Sequence, residues 1–214
     1  MRDLLEQDFK NYYNLNVSVS ANVVSTNDLT FDLIDDVQII YQSNNGIAKY
    51  ANPQRNEVNV INYELFIDSL PDVFKRGKEK CDLIVFTSNA QYFLLNELTD
   101  TESQYVLPFT NQRGKQEGKE SKAKRQLKLS LTYLITVPTI NNFIQQFPIK
   151  HCCFFSKQPY IPQQINTTHR LNAIQAFNQQ NNITTNGVHL SDRDIENLGF
   201  EFWVFSGNQT YLLS

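Results

Sequence analysis

The 214-residue chain is poor in several things at once: three cysteines, three histidines, seven glycines, one tryptophan and no long apolar run. Cys81, Cys152 and Cys153 are odd in number and two are adjacent, so no paired disulfide framework is expected. All three lie in or beside apolar strand-like runs, where a thiol behaves as a small hydrophobe. No Cys-x-x-Cys or His-x-x-x-His spacing occurs, and His151, His169 and His189 show no ligand pattern, which argues against zinc. The missing glycine-rich phosphate loop argues against nucleotide hydrolysis of the P-loop type. No segment approaches transmembrane length, and the start Met-Arg-Asp-Leu-Leu-Glu-Gln has no signal-peptide core. The expectation is a soluble protein of the cytoplasm with no membrane partner. A formal charge of −3 argues against a surface coated in basic residues, but leaves room for a local basic patch.

What is present can build a core: 41% of residues are hydrophobic and 12% aromatic. The pattern predicts one α/β (α+β mixed) domain over residues 1–214. A helix is expected over residues 2–13 and a half-buried strand over 15–25, where apolar and polar residues alternate. Short strands are expected at Val37–Tyr41, before the turn signal at 43–46, and at Val58–Ile61. A helix from Tyr63 is divided at Pro71. Leu83–Phe86 and Tyr92–Leu98 read as a strand pair joined at Ser88-Asn89-Ala90, followed by a mobile polar loop over 100–118. Ala123, Leu127, Leu131, Leu134 and Ile135 form one buried stripe on a helix from Lys119. Thr139 is a candidate N-cap for a helix to Phe147, and His151–Phe155 is another buried strand. An elaboration over 158–214 is expected to hold a helix at Arg170–Asn178, a loose stretch at 179–187 and a short helix capped by Ser191. It would close with Phe200–Phe205 pairing with Thr210–Leu213 across Ser206-Gly-Asn208.

The chemistry concentrates between residues 64 and 128. Asp82 opens one apolar strand and Glu97 lies near the end of the next. From Arg113 to Lys128 seven cations face two acids, inside a chain of net negative charge. Such a concentration can contact phosphates, or it can be a solvated helix face. Likewise Asp82 can simply end the charged turn Lys75–Lys80, Glu64 can be a solvated helix residue, and Glu97 needs a partner because a buried carboxylate is costly. Tyr160, Trp203 and Phe205 can stack on bases or belong to the core.

The order helix with Glu64, strand with Asp82, strand with Glu97, long helix, strand resembles the core of the PD-(D/E)XK (restriction-endonuclease-like) nuclease superfamily, over roughly residues 58–156. The resemblance implies a central mixed sheet flanked by helices, and a divalent-metal-dependent nuclease acting on DNA or RNA phosphodiesters. It implies Mg²⁺ or Mn²⁺ on Asp82 and Glu97, with Glu64 assisting. Arg113, Lys115, Lys119, Lys124, Arg125, Gln126 and Lys128 would meet nucleic acid. Where the family pattern has lysine this chain has Thr99, so the motif reads Glu-x-Thr. Lys122 or Lys119 from the next helix would supply the catalytic cation. Hard cations favour carboxylate oxygens, and a bound ion can acidify a water beside the scissile phosphate. The rival is a non-catalytic binding or assembly module on the same architecture, with a homodimer left open. An unrelated α/β domain would follow if Asp82 and Glu97 stood at opposite ends of their strands.

Overall fold

In the computed structural model, residues 1–35, 39–40, 45–161 and 187–214 are described. The expected helix at Arg170–Asn178, His169, most of the loose stretch after the helix, and most of the Val37–Tyr41 strand with its turn lie outside them. The strands in chain order are β1 (Val23–Thr26), β2 (Thr30–Leu33), β3 (Ile39–Ile40), β4 (Ala48–Ala51), β5 (Val58–Asn62), β6 (Leu83–Thr87) and β7 (Tyr92–Thr99). They continue with β8 (Phe109–Asn111), β9 (Gly114–Gln116), β10 (Ile149–Ser156), β11 (Val188–Leu190), β12 (Glu201–Ser206) and β13 (Thr210–Leu212).

The fold is mixed α/β. A central seven-stranded sheet has the order β1-β5-β6-β7-β10-β12-β11. β5, β6 and β7 run antiparallel in succession, whereas β10 lies parallel to both β7 and β12. The parallel step needs a crossover, which the helices Lys119–Thr136 and Pro138–Ile144 provide. Alternate residues of the sheet feed two cores. Ile84, Phe93, Leu95, Cys152 and Phe154 join Ala123, Leu127, Leu131 and Leu134 of the long helix. Leu83, Val85, Leu94, Cys153 and Phe155 pack instead with Phe31, Tyr50 and Tyr211 of a four-stranded sheet, β13-β4-β2-β3. Helices therefore flank one face and the second sheet covers the other. Among the described residues no helix is long and apolar enough to cross a membrane.

Several local expectations are corrected. A helix does occupy the N-terminal stretch, but its Leu4–Phe9 part is π-helical, ahead of a short α-helix, Lys10–Tyr12. Of the alternating stretch 15–25, only Val23 onward is strand. Leu15, Val17 and Val19 pack against the helical core without a ladder partner, and Lys10 Nζ donates to Val17 O at 2.7 Å. The helix expected from a Thr139 cap begins at Pro138, whose fixed φ and missing N–H suit a first helical position. Asp192, not Ser191, caps the helix Arg193–Glu196, accepting from Asp194 N and Ile195 N. The last two strands do not pair with each other. β12 enters the central sheet and β13 leaves for the small one, after Gly207 turns the chain at φ +61°. The segment taken as an elaboration thus contributes two strands, β11 and β12, to the central sheet.

Candidate functional site

Asp82 and Glu97 are brought together by register. β6 pairs Leu83 with Asn96, and Asp82 N donates to Asn96 O at 3.1 Å. One further step of the ladder sets Asp82 opposite Glu97, at the same end of the sheet. Asp82 shares the parity of Ile84, and Glu97 that of Phe93 and Leu95, so both turn to the helical face. The backbone N–H of Leu98 donates to Asp82 Oδ2 at 2.6 Å. Glu64 arrives by a different device. Asn62 Oδ1 accepts from Leu65 N at 2.7 Å, while Tyr63 N and Glu64 N both donate to the Asp82 carbonyl. The start of the helix Tyr63–Asp68 is thereby fastened to the residue it must face.

The long helix closes the site from above. Cys81 N donates to Ser130 Oγ at 2.7 Å, and buried Gln126 donates from Nε2 to Lys80 O at 2.8 Å. At the start of that helix Gly118 permits a close crossing, because a Cβ there would lie 2.2 Å from the Leu107 carbonyl carbon. Glu120 N reaches Val106 O across this contact. The result is a cavity of about 380 Å³ with carboxylates from Asp35, Glu64, Asp82, Glu97 and Asp100 on its walls. Lys119, Lys122, Thr99 and Gln126 complete the lining relevant to chemistry.

Crowding of acids has electrostatic consequences. Burial, then the charge of Asp35, pushes the Asp82 carboxyl well above the ordinary carboxylate range, against the Leu98 hydrogen bond. Burial, then the charge of Asp82, pushes Glu97 up further. Burial also raises Glu64, opposed by Lys80. Lys122 lowers both Asp82 and Glu97, so its charge reaches the pair. Glu97 is 9% exposed and its Oε2 has no hydrogen-bond partner among the described residues.

The expected basic grip divides. Lys119 and Lys122 are exposed and line the cavity, and Arg113 and Lys115 are exposed on the β8–β9 hairpin and its turn. The other three cations are engaged elsewhere. Lys124 pairs with Glu120 at 3.4 Å and lies over the Phe202 ring. Arg125 bonds Glu79 and Glu117, and Lys128 pairs with Asp194 at 2.5 Å. Thr99 Oγ1 engages Thr101 Oγ1 at 2.9 Å.

Three members of the site, Asp35, Asp100 and Lys80, were not read from the sequence. Asp35 comes from the small sheet, two residues beyond β2, and no local pattern ties it to Asp82. Lys80 pairs with Glu64 at 3.6 Å and with Asp68, so the charged turn before β6 supplies a side chain to the rim. The aromatic candidates lie apart from the acids. Trp203 and Phe205 line a separate cavity of about 540 Å³ with His151, His189 and Tyr211, and Tyr160 packs on Phe154. His151 there lies 2.7 Å from the Tyr211 hydroxyl and 3.2 Å from Glu201, and burial lowers its pKa to about 4.

Compared with known proteins, the chain matches no family model, no curated sequence and no solved structure.

Proposed function

We propose that this chain is a divalent-metal-dependent phosphodiesterase of the restriction-endonuclease-like kind, acting on DNA or RNA backbones at the acidic cavity. The observation that carries the reading is Glu97 Oε2, a buried carboxyl oxygen without a partner among the described residues, beside the buried carboxyl of Asp82. Such a group is costly to hold ionised unless something of opposite charge joins it. The succession of the Glu64 helix, β6, β7, the long helix and β10 supports the same reading, because it is the order on which the resemblance rests.

Asp82 and Glu97 would hold the Mg²⁺ or Mn²⁺, with Glu64 at its side, since hard cations select carboxylate oxygens. The bound ion supplies an acidified water and charge neutralisation at the phosphate. The chain's own part is to bind, orient and balance charge. The walls carry more carboxyls than lysines, so the bare cavity has no excess of positive charge to hold a phosphodiester. Lys122 and Lys119 stand where they can steady charge developing on phosphate oxygens, the role the strand lysine of the pattern would fill. Thr99 offers a hydroxyl and no charge. Arg113 and Lys115, exposed on the β8–β9 hairpin and its turn, would contact the backbone of a longer substrate.

A second reading, a non-catalytic nucleic-acid-binding module on the same architecture, is favoured by Thr99 and by the internal pairing of Lys124, Arg125 and Lys128. One experiment separates them: cleavage of single- and double-stranded DNA and RNA with Mg²⁺ or Mn²⁺, against an Asp82→Ala/Glu97→Ala control. Metal-dependent cleavage lost in the control supports the enzyme. Salt-sensitive binding without cleavage supports the module, and cleavage surviving in the control sinks the site.

A further inference from the structure

The geometry points to Asp35 as a ligand of the cation, delivered by the small sheet from outside the strand pair that carries Asp82 and Glu97. This rests on the metal-dependent reading above and adds a ligand that the resembled pattern does not contain. One carboxylate oxygen from each of Asp35, Glu64 and Asp82 lies within 4.8 Å of the other two. Two ligands about 2.1 Å from a Mg²⁺ ion are at most about 4.2 Å apart, so the three oxygens need to close by only a few tenths of an ångström. A cluster of acids alone would be weak ground, since exposed carboxylates gather without an ion. The independent observation is Glu97, nine-tenths buried on the wall of the same cavity, with Oε2 unpartnered among the described residues.

The small sheet is built to hold Asp35 there. Leu33, the last residue of β2, is fully packed, and Ile47 N donates to its carbonyl at 2.8 Å. Asp32 Oδ2 accepts from Gly46 N at 3.0 Å, and a Cβ on Gly46 would meet Asp32 Cβ at 2.4 Å. Only glycine fits at position 46 against β2, so the strand is anchored up to two residues before Asp35. The charge of Asp35 is felt by Glu64, Asp82 and Glu97 alike, as a group convergent with all three must be. The cation would then tie the two sheets together at this edge, as well as prepare the reaction.

The test is Mn²⁺ binding to the full chain by calorimetry and by electron paramagnetic resonance, with circular dichroism to confirm folding of each variant. Asp35→Asn should weaken Mn²⁺ by at least roughly tenfold, a loss seen even for partners outside the ligand shell. Asp100→Asn is the control, because Asp100 lines the same cavity but pairs with Lys157 at 3.5 Å. It should change affinity by much less. Asp35→Cys should shift preference from Mn²⁺ toward the softer Cd²⁺, a reversal that a role in folding alone would not produce. Equal losses for Asp35→Asn and Asp100→Asn, or an Asp35→Asn protein binding like the parent while Asp82→Asn does not, would overturn Asp35 as a ligand and leave the metal site standing. A parent chain that binds no Mn²⁺ would overturn both.

Discussion

Asp82 and Glu97 stand opposite one another at one end of an antiparallel strand pair, but only Asp82 is held, by the N–H of Leu98 at 2.6 Å. The two acids are therefore unlike. One is oriented by backbone, and the other keeps a buried oxygen with no partner among the described residues.

Glu97→Gln should separate function from stability. In chelator the variant is expected to be more stable than the parent by about 1 kcal/mol, as when a strained functional group is relieved. It should also lose most of its Mn²⁺-induced stabilisation. Urea denaturation with chelator and with Mn²⁺ gives both numbers.

The pH dependence has a definite sign. Asp82 and Glu97 hold their protons in the folded state at pH values where the unfolded chain, with carboxyls near about 4, has lost them. Their contribution to stability is complete below about pH 4 and is lost as pH rises through the elevated folded values. Metal-free stability should decline between about pH 5 and 9, and Glu97→Gln should flatten that decline. Mn²⁺ affinity should move the other way and rise with pH, because ligands must shed protons to bind. A series of urea midpoints and Mn²⁺ titrations across that range tests both slopes.

Cations that look alike in the sequence should behave differently. Arg113→Ala and Lys115→Ala should weaken nucleic-acid binding and each reduce the salt slope by about 1. Arg125→Ala and Lys128→Ala should leave binding unchanged and cost up to about 1 kcal/mol, the ordinary range of exposed ion pairs. Fluorescence anisotropy at several salt concentrations, with thermal melts, distinguishes the two groups.

The two sheets should be coupled through a buried polar contact. Asn96 Nδ2 donates to the Tyr50 hydroxyl, both side chains being buried, and Tyr50 stacks on Phe31. Tyr50→Phe leaves that amide hydrogen without an acceptor and should cost roughly 1–3 kcal/mol. If the small sheet also positions the site, Mn²⁺ affinity should fall with it, which the same titration records.

Period and burial made the strand pair, the long helix and β10 legible, since apolar runs and a stripe at helical spacing carry their own signal. The side-by-side placement of Asp82 and Glu97 followed from the short turn between their strands. Asp35 was invisible because its proximity depends on a second sheet lying near the site, and sequence periodicity says nothing about what packs on what. The parting of β12 from β13 was missed for a related reason. A Ser206-Gly-Asn208 turn between two apolar strands reads as a hairpin, but each strand found a parallel partner far away, Cys152–Phe155 for one and Lys49–Ala51 for the other. The basic segment read as uniform, and the acids that neutralise Arg125 and Lys128, Glu79 and Asp194, come from distant stretches.

Lys119 and Lys122 lie one helical turn apart on the same cavity wall. A lysine fixed in a strand has a single address, and losing it leaves nothing in reserve. Two lysines a turn apart are near-interchangeable, so under the proposed reading either could bring a positive charge to the phosphate. Position 99 need not then carry a cation, and its threonine is compatible with the proposed chemistry.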